Sequence, residues 1–505
     1  MQKILSPKQI LEADKYTIKQ QKITSTDLME RASENCFRWI HNRLQGNPLP
    51  IKIFCGIGNN GGDGLVLARL LKNHGYQVET FVVNFSKNRS NDFLVNYEKL
   101  KEYGYWPKMV NSKSDLPNIS ENDMVIDAIF GIGLNRSPQG IALETIQHIN
   151  KSNAYILSID MPSGLFANQP VTKKESVIKA FQTLTFEVPK LAFYLPENAN
   201  YSTNTAIISI GLDSDFIAKQ NSDFFVIEKQ DILQRYKMRS KFSHKGNFGH
   251  ALLIGGSFGK IGAVTLASKS CLKSGAGLVT TYLPKCGYQI LQTAIPEVMV
   301  EVDNEKEIEF FNFKTKANVI GIGIGLGTSA KTQKGFYSFL KSNKLPLVID
   351  ADALNILSQN KEWFSLLPIN SVLTPHPKEL ERLIGKWKND YEKIEKTKQF
   401  IKKYKIVLVL KGHHTAVFYE NKVYFNTTGN PALATAGSGD VLTGIITGFL
   451  AQNYATLDAC LVGVYLHGAT ADIALKDHVY ETFTASDIIN YLPKAFQFLF
   501  ETDKK

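Results

Sequence analysis

The sequence predicts an α/β protein of two domains, and three observations carry that prediction. Apolar strand-like runs alternate with helical patterns along most of the chain, the rhythm of largely parallel sheets. That rhythm is interrupted between the halves, by a polar stretch at 213–224 and a charged one at 237–249. The chain has 505 residues, 44% hydrophobic and 21% charged, enough for two or three domains with their own cores.

Residues 1–45 read as two leading helices, with Ser25, Thr26 and Asp27 available to cap the second. Strands are predicted at 51–55, 78–83, 124–130, 154–160, 181–188 and 205–211. A second series follows at 250–256, 278–284, 317–325, 345–354, 371–375, 405–412 and 414–419. The boundary falls near 215–230, giving domains 1–220 and 221–505. The halves do not repeat one another, which argues against duplication.

The formal charge of +11 is modest for this length and the lysines are scattered, so nucleic-acid binding is not expected. Five cysteines (Cys36, Cys55, Cys271, Cys286, Cys460) show no CxxC pairing. That argues against a zinc site or disulfide framework and for a reducing cytoplasm. Cys55 and Cys460 lie in apolar runs and read as buried thiols. The N-terminus has no apolar signal core, and no run reaches the roughly 18 to 20 apolar residues of a membrane helix. A soluble cytoplasmic protein without a membrane partner is expected.

Two glycine-rich loops carry the chemistry. GIGNNGGDG (56–64) follows the strand IKIFC and opens the helical run GLVLARLL. Free N–H groups and the helix dipole favour an anion there. Asn59 and Asn60 offer amides, Gly61 and Gly62 permit close backbone approach, and Asp63 accepts hydrogen bonds. Taken alone, the stretch also describes a tight turn with a capping aspartate. Asp127, Asp160 and Lys190 stand at further strand ends, the ligand edge of an open α/β sheet.

GNNGGDG, DAIFGIGLNR, SIDMPSGL and TFEVPK, in this order, resemble the YjeF N-terminal domain, the NAD(P)H-hydrate epimerase, over about residues 1–215. The resemblance implies a Rossmann-like fold binding hydrated NADH or NADPH and a K⁺ ion. It implies hydrate contacts from Asn59, Asn60, Gly61, Gly62 and Asp63, from Gly131, Ile132, Gly133, Leu134, Asn135, Arg136 and Ser137, and from Asp160. K⁺ would be held by Asn60, Asp127 and Ser163, and Asp160 is the expected acid/base residue.

The second loop, ATAGSGD (434–440), opens the apolar helix VLTGIITGFL. Backbone N–H groups of 436–439 could stabilise a transferring phosphoryl group, and Asp440 could accept a hydroxyl proton. A bare GxGD also fits an aspartate in a first helical turn. Lys411, Gly412, His413, His414 and Thr415 offer contacts to nucleotide phosphates, and Glu379 a water-mediated Mg²⁺ carboxylate unless it is simply a helix cap. His376 stands rigid between prolines, and Asp350, Asp352 and Asn355 cluster at another strand end.

HKGNFGHALLIGGSFGKIGAVTLASKSCLKSGAGLVT, PEVM, DADALN, TPHPKEL and NTTGNPALATAGSGDVLTGII resemble the ribokinase-like ADP/ATP-dependent NAD(P)H-hydrate dehydratase, over about 225–500. That resemblance implies hydrate contacts from Ala263, Gly325, His376 and Asp440, and adenine-nucleotide contacts from Lys411, Gly412, His413, His414, Thr415 and Gly439. Ile324 stands where the family usually has proline, and PALATAGSGD carries alanine and serine where glycine and threonine are commoner. Together the resemblances imply an epimerase fused to an ADP-dependent dehydratase, in a homo-oligomer. The alternative is a ribokinase-type small-molecule kinase with a non-catalytic N-terminal module.

Overall fold

The computed structural model describes residues 1–501. The chain folds into two compact units, Gln2–Ser222 with Asn389–Tyr391, and Met1 with Asp223–Lys388 and the chain from Glu392 onward.

The first unit is built on a seven-stranded sheet. Its strands are β1 (Ile51–Cys55), β2 (Val78–Val83), β3 (Lys108–Val110), β4 (Met124–Ala128), β5 (Tyr155–Ile159), β6 (Ala180–Phe186) and β7 (Ser202–Ile208). They run in the order β3-β2-β1-β4-β5-β6-β7, every pair parallel. The predicted runs at 51–55 and 78–83 match β1 and β2 at both ends. β3 lies outside the predicted strands: the three-residue KMV is too short to show a period of two.

Helices α1 (Pro7–Gln21), α2 (Ser25–Leu44), α3 (Asn59–Asn73), α4 (Asn91–Glu102) and α5 (Gly140–Asn150) accompany this sheet. The cap of α2 is Thr24, which exchanges hydrogen bonds with Asp27 in a capping box. Ser25 and Thr26 instead donate their hydroxyls to Asp92, both at 2.8 Å. The cap therefore sits one residue earlier than the sequence suggests.

The second unit carries β8 (Phe224–Ile227), β9 (His250–Ile254), β10 (Leu278–Leu283), β11 (Met299–Val302), β12 (Val319–Ile322), β13 (Leu347–Ile349), β14 (Val372–Leu373), β15 (Val407–Leu410), β16 (Ala416–Tyr419) and β17 (Lys422–Asn426). Their order is β8-β17-β16-β15-β14-β13-β12-β9-β10-β11, with antiparallel pairing only at β15–β16 and β16–β17. β8, β11 and β17 are additions to the prediction. The helix Ser438–Ala451 packs on the helix Ile261–Lys273 almost backbone to backbone. A Cβ on Gly444 would stand 2.1 Å from the Ala267 carbonyl oxygen, and Ser270 Oγ donates to the Val441 carbonyl at 2.9 Å. Cys36, Cys55, Cys271 and Cys460 are buried free thiols.

Candidate active sites

Both sheets reverse their strand order at one point, and ligands of open α/β sheets bind there, at the carboxyl ends of the strands. In the first unit the chain leaves β1 toward β2 and returns on the other side of β1 as β4. A cavity of about 550 Å³ lies there, lined by residues following β1, β4 and β5 and by α1.

GNNGGD does not form a loop before a helix, as expected, but winds into the first turns of α3 behind the N-cap Gly58. Three glycines in a helix oppose helix propensity, and packing explains them. A Cβ on Gly61 would stand 1.9 Å from the Gly56 carbonyl oxygen, and one on Gly64 2.7 Å from Ala128 Cβ. Gly61 and Gly62 thus dock the helix and do not line the cavity, whereas Gly58, Asn59, Asn60 and Asp63 do.

Asp160 follows β5 with a left-handed φ of 64°, a conformation aspartate tolerates better than most residues. Its N–H donates to the Leu184 carbonyl at 2.7 Å, and its Oδ2 accepts from the Ile132 N–H at 2.9 Å. Lys190, with 1% of its side chain exposed, places Nζ 3.1 Å from Asp160 Oδ1 and 2.7 Å from the Phe186 carbonyl. Burial, then the Asp160 charge, lifts the Asp63 carboxyl well above the usual range.

Gly131, Ile132, Gly133, Leu134, Asn135 and Arg136 line the cavity. Ser137 does not; its hydroxyl pairs with Thr172 at 2.9 Å. Asp127 is fully buried beside the floor, its oxygens taking hydroxyls from Ser163 (2.5 Å) and Ser158 (2.7 Å) and the Ser163 N–H (2.8 Å). Both polar atoms of the Asn60 amide are buried without a hydrogen-bond partner. Asp14, from α1, completes the wall; no sequence motif points to it.

In the second unit the order reverses between β9 and β12. Gly325 (φ 61°) follows β12, and a Cβ added to it would stand 3.3 Å from Ala263 Cβ, so these two predicted contacts are neighbours. Ser257 Oγ donates to the Gly325 carbonyl at 2.9 Å. Asp350 follows β13 as the N-cap of the helix Ala351–Gln359, His376 and Glu379 follow β14, and Lys411 follows β15. Lys411 Nζ lies 2.8 Å from Asp350 Oδ1, and Thr443 Oγ1 donates to Asp350 Oδ2 at 2.7 Å. His376 caps the helix Pro377–Ile384 through Nδ1, and its N–H donates to Glu379 at 2.8 Å.

Asp440 occupies the first turn of Ser438–Ala451, whose N-cap Gly437 has a φ of 87° that favours glycine. Burial, then the neighbouring Asp350, raises the Asp440 carboxyl to about 6, with Lys411 opposing. The Ser438 N–H donates to the Thr435 carbonyl at 3.3 Å, so the expected donor set of 436–439 is partly engaged within the chain.

A second cavity of about 550 Å³ is lined by His376, Lys411, Gly412, His413, Thr415, Ser438 and Gly439. His414 does not line it: its Nδ1 lies 3.2 Å from the Asn426 carbonyl, and burial lowers its pKa to about 4. Asn426, Thr428, Asn430, Thr435 and His467 form the rest of its polar wall. Asn430 lies in NTTGNP, but His467 comes from an apolar helix with no local signal. Its Nε2 lies 3.0 Å from the Ser438 carbonyl, which ties it to the first turn of the helix carrying Gly439. Among the described residues no cluster of three His, Cys, Asp or Glu is placed to hold a metal, and no helix is long and apolar enough to cross a membrane.

One cavity at the switch point of the first sheet and one at the ends of β14, β15 and β17 in the second, each beside a glycine-rich helix start, define a two-centre α/β enzyme. The family described as YjeF-related protein N-terminus matches residues 25–192, and the one described as NAD(P)H-hydrate dehydratase matches 251–494. The bifunctional NAD(P)H-hydrate repair enzyme of Moorella thermoacetica is 33% identical over 95% of this chain and 94% of its own length. The enzyme of that description in Escherichia coli is 31% identical over 94% and 90%. The ADP/ATP-dependent NAD(P)H-hydrate dehydratase of Bacillus subtilis, co-crystallised with ATP and Mg²⁺, is 28% identical over 54% of this chain and 97% of that one, with a TM-score of 0.46. The chain belongs to the bifunctional NAD(P)H-hydrate repair enzyme family, with a Rossmann-like first unit and a ribokinase-like second.

Proposed function

We propose that this chain restores hydrated NADH and NADPH, interconverting the R and S hydrates in its first unit and dehydrating the S hydrate in its second at the expense of ADP. The damaged ring bears a hydroxyl on the carbon beside its nitrogen, because protonation of the enamine double bond leaves that carbon open to water. Hydroxide is a poor leaving group at neutral pH, and phosphate is a good one.

Asp440 carries the reading. A carboxylate raised to about 6, in a first helical turn behind a glycine N-cap, suits removal of the hydroxyl proton as the terminal phosphoryl of ADP arrives. Lys411, Gly412, His413, Thr415 and Gly439 hold the donor's phosphates; AMP and then phosphate leave. Ala263, Gly325 and His376 hold the hydrate in this unit. His414, turned to Asn426, supports that wall from behind.

In the first unit Asp160 moves a proton at the ring, and Asn59, Asn60, Asp63 and the segment 131–136 hold the nucleotide. The unpartnered Asn60 amide fits a K⁺ ion there, with Asp127 and Ser163 completing an all-oxygen set suited to a hard cation. When bound, K⁺ supplies a fixed positive charge beside the anionic nucleotide. Glu379 would supply the one carboxylate that Mg²⁺, held mainly by the ADP phosphates, needs beside them.

The test is recovery of reduced-nicotinamide absorbance by the full chain from mixed hydrates. Complete recovery with ADP and Mg²⁺ is expected, and recovery with ATP alone would refute the donor. A stable phosphorylated product would instead support a small-molecule kinase. Self-association, implied by the family resemblance, is measured by sedimentation of the same preparation.

A further inference from the structure

The leading helix brings a carboxylate to the first cavity that the family reading leaves without a role. Asp14 on α1 lines that cavity together with Asp63 and Asp160. Three carboxyl groups are a poor way to hold an anionic nucleotide, since each ionised one repels its phosphates. Two are held by the protein: Asp160 by Ile132 and Lys190, and Asp63 near the Ser33 hydroxyl at 3.5 Å. Asp14 makes no hydrogen bond among the described residues, although it is partly buried. An unheld carboxyl on a cavity wall is available to a ligand.

We propose that Asp14 is the second proton-transfer residue of this centre, acting from the α1 wall while Asp160 acts from the sheet edge. The proposal rests on the reading of this cavity as the epimerase site. Inverting a carbon that bears a hydroxyl beside a ring nitrogen calls for proton transfer on both faces of the ring. One carboxylic acid gives its proton to the hydroxyl on its face; the C–O bond breaks, water departs, and the nitrogen lone pair forms a C=N⁺ bond. A solvent water then attacks from the other face, its oxygen bonding the same carbon as it gives a proton to the second carboxylate. One water leaves, one enters, and the two carboxyl groups exchange protonation states, so the reverse conversion uses the same pair in opposite roles.

The charges around Asp14 suit such an exchange. Burial, then Asp160, lifts its carboxyl to about 6, with Lys190 opposing and Glu187 adding to the rise. Asp63 is also lifted well above the usual carboxylate range, by burial and then by Asp160 and Asp14. Near neutral pH both protonation states of Asp14 are therefore populated, as a residue serving as acid in one direction and base in the other requires.

The experiment follows conversion of pure S hydrate to R hydrate by the full chain without ADP, in ordinary and ¹⁸O-labelled water. Asp14→Asn is expected to lower kcat about 100-fold, at the low end for acid–base catalysis, with KM nearly unchanged. ADP-dependent dehydration of S hydrate should stay intact, and Asp14→Glu should restore much of the loss. Each wild-type inversion should place one solvent oxygen in the product. Wild-type enzyme that inverts without ¹⁸O uptake, or an Asp14→Asn variant within threefold of wild type, would overturn the proposal while leaving the site reading in place. Wild-type enzyme that does not invert S hydrate would remove the site reading, and the proposal with it. Should Asp14→Asn lose the thermal transition of the first unit, Asp14→Glu decides: an unchanged pH–rate profile overturns the role.

Discussion

Lys411 sets its ammonium 2.8 Å from Asp350 and 3.9 Å from Glu379, so three charged groups from successive strand ends share one buried cluster. Asp350 is only 1% exposed. Removing the cation strands a buried carboxylate, and breaking a buried pair from one side costs about 3–5 kcal/mol. Lys411→Met should lower the urea midpoint of the second unit's transition and leave that of the first unit unchanged. Lys411 also holds the Asp440 carboxyl down, so the acid limb of the dehydratase rate profile should move to higher pH in this variant.

Asp440 gives two pH dependences of opposite sense. As a base it works ionised, so kcat/KM for dehydration should be flat above pH about 7 and fall nearly tenfold per unit below pH about 5. For stability the sign reverses. Its folded pKa, about 6, exceeds the unfolded 3.8, so the folded state binds more protons between those values. Its stability contribution is present below pH about 4 and lost as pH rises through about 6. Asp440→Asn should therefore abolish dehydration yet raise stability at pH 7 by about 1–3 kcal/mol relative to wild type, with little difference at pH 3. Paired denaturant melts at the two pH values check this.

Gly58 and Gly61 separate a ligand role from a packing role within one motif. A Cβ at Gly61 would meet the Gly56 carbonyl at 1.9 Å, while one at Gly58 meets nothing within 4 Å. Gly61→Ala should destabilise the first unit by about 3 kcal/mol or more, beyond the usual range for overpacking because backbone must move. Gly58→Ala should leave unfolding within about 0.5 kcal/mol of wild type, as substitutions away from such contacts do. Its effect should appear in KM for the hydrate. Unfolding curves and epimerisation kinetics of the two variants distinguish the roles.

Asn60 has two buried polar atoms without partners in the absence of ligand. Such groups cost about 1–3 kcal/mol each, so Asn60→Ala should not destabilise the ligand-free protein despite the lost volume. It should abolish the thermal stabilisation of the first unit by KCl over choline chloride. A K⁺-dependent shift retained in the variant would remove Asn60 from the cation set.

Much of this architecture is legible in the chain. The strands IKIFC and VETFVV agree with the structure to the residue, because short, mostly apolar runs rich in β-branched and aromatic residues and bounded by polar turns describe largely buried strands. β3 and β11 are not legible, because three or four residues at a sheet edge carry no period. The start of α3 reads as a loop because glycine signals one. Only the approach of that helix to Gly56 and Ala128 makes glycine the residue a helix needs there. Of the site residues, Asp127, Asp160, Lys411 and Asp440 stand at strand or helix ends and announce themselves by position. Asp14 and His467 lie inside helices and become cavity walls only through packing.

The sequence by itself determined the two α/β series, the glycine-rich helix starts and the aspartates beside them, since these follow from local patterning. Tertiary structure alone decided that Gly61 and Gly62 dock a helix, that His414 turns to Asn426 while His413 lines the cavity, and which carboxyl groups are held or lifted. Desolvation and charge pairing depend on what other elements bring near a group, and Asp440 owes its basicity to burial and to Asp350, some 90 residues away along the chain, against the pull of Lys411.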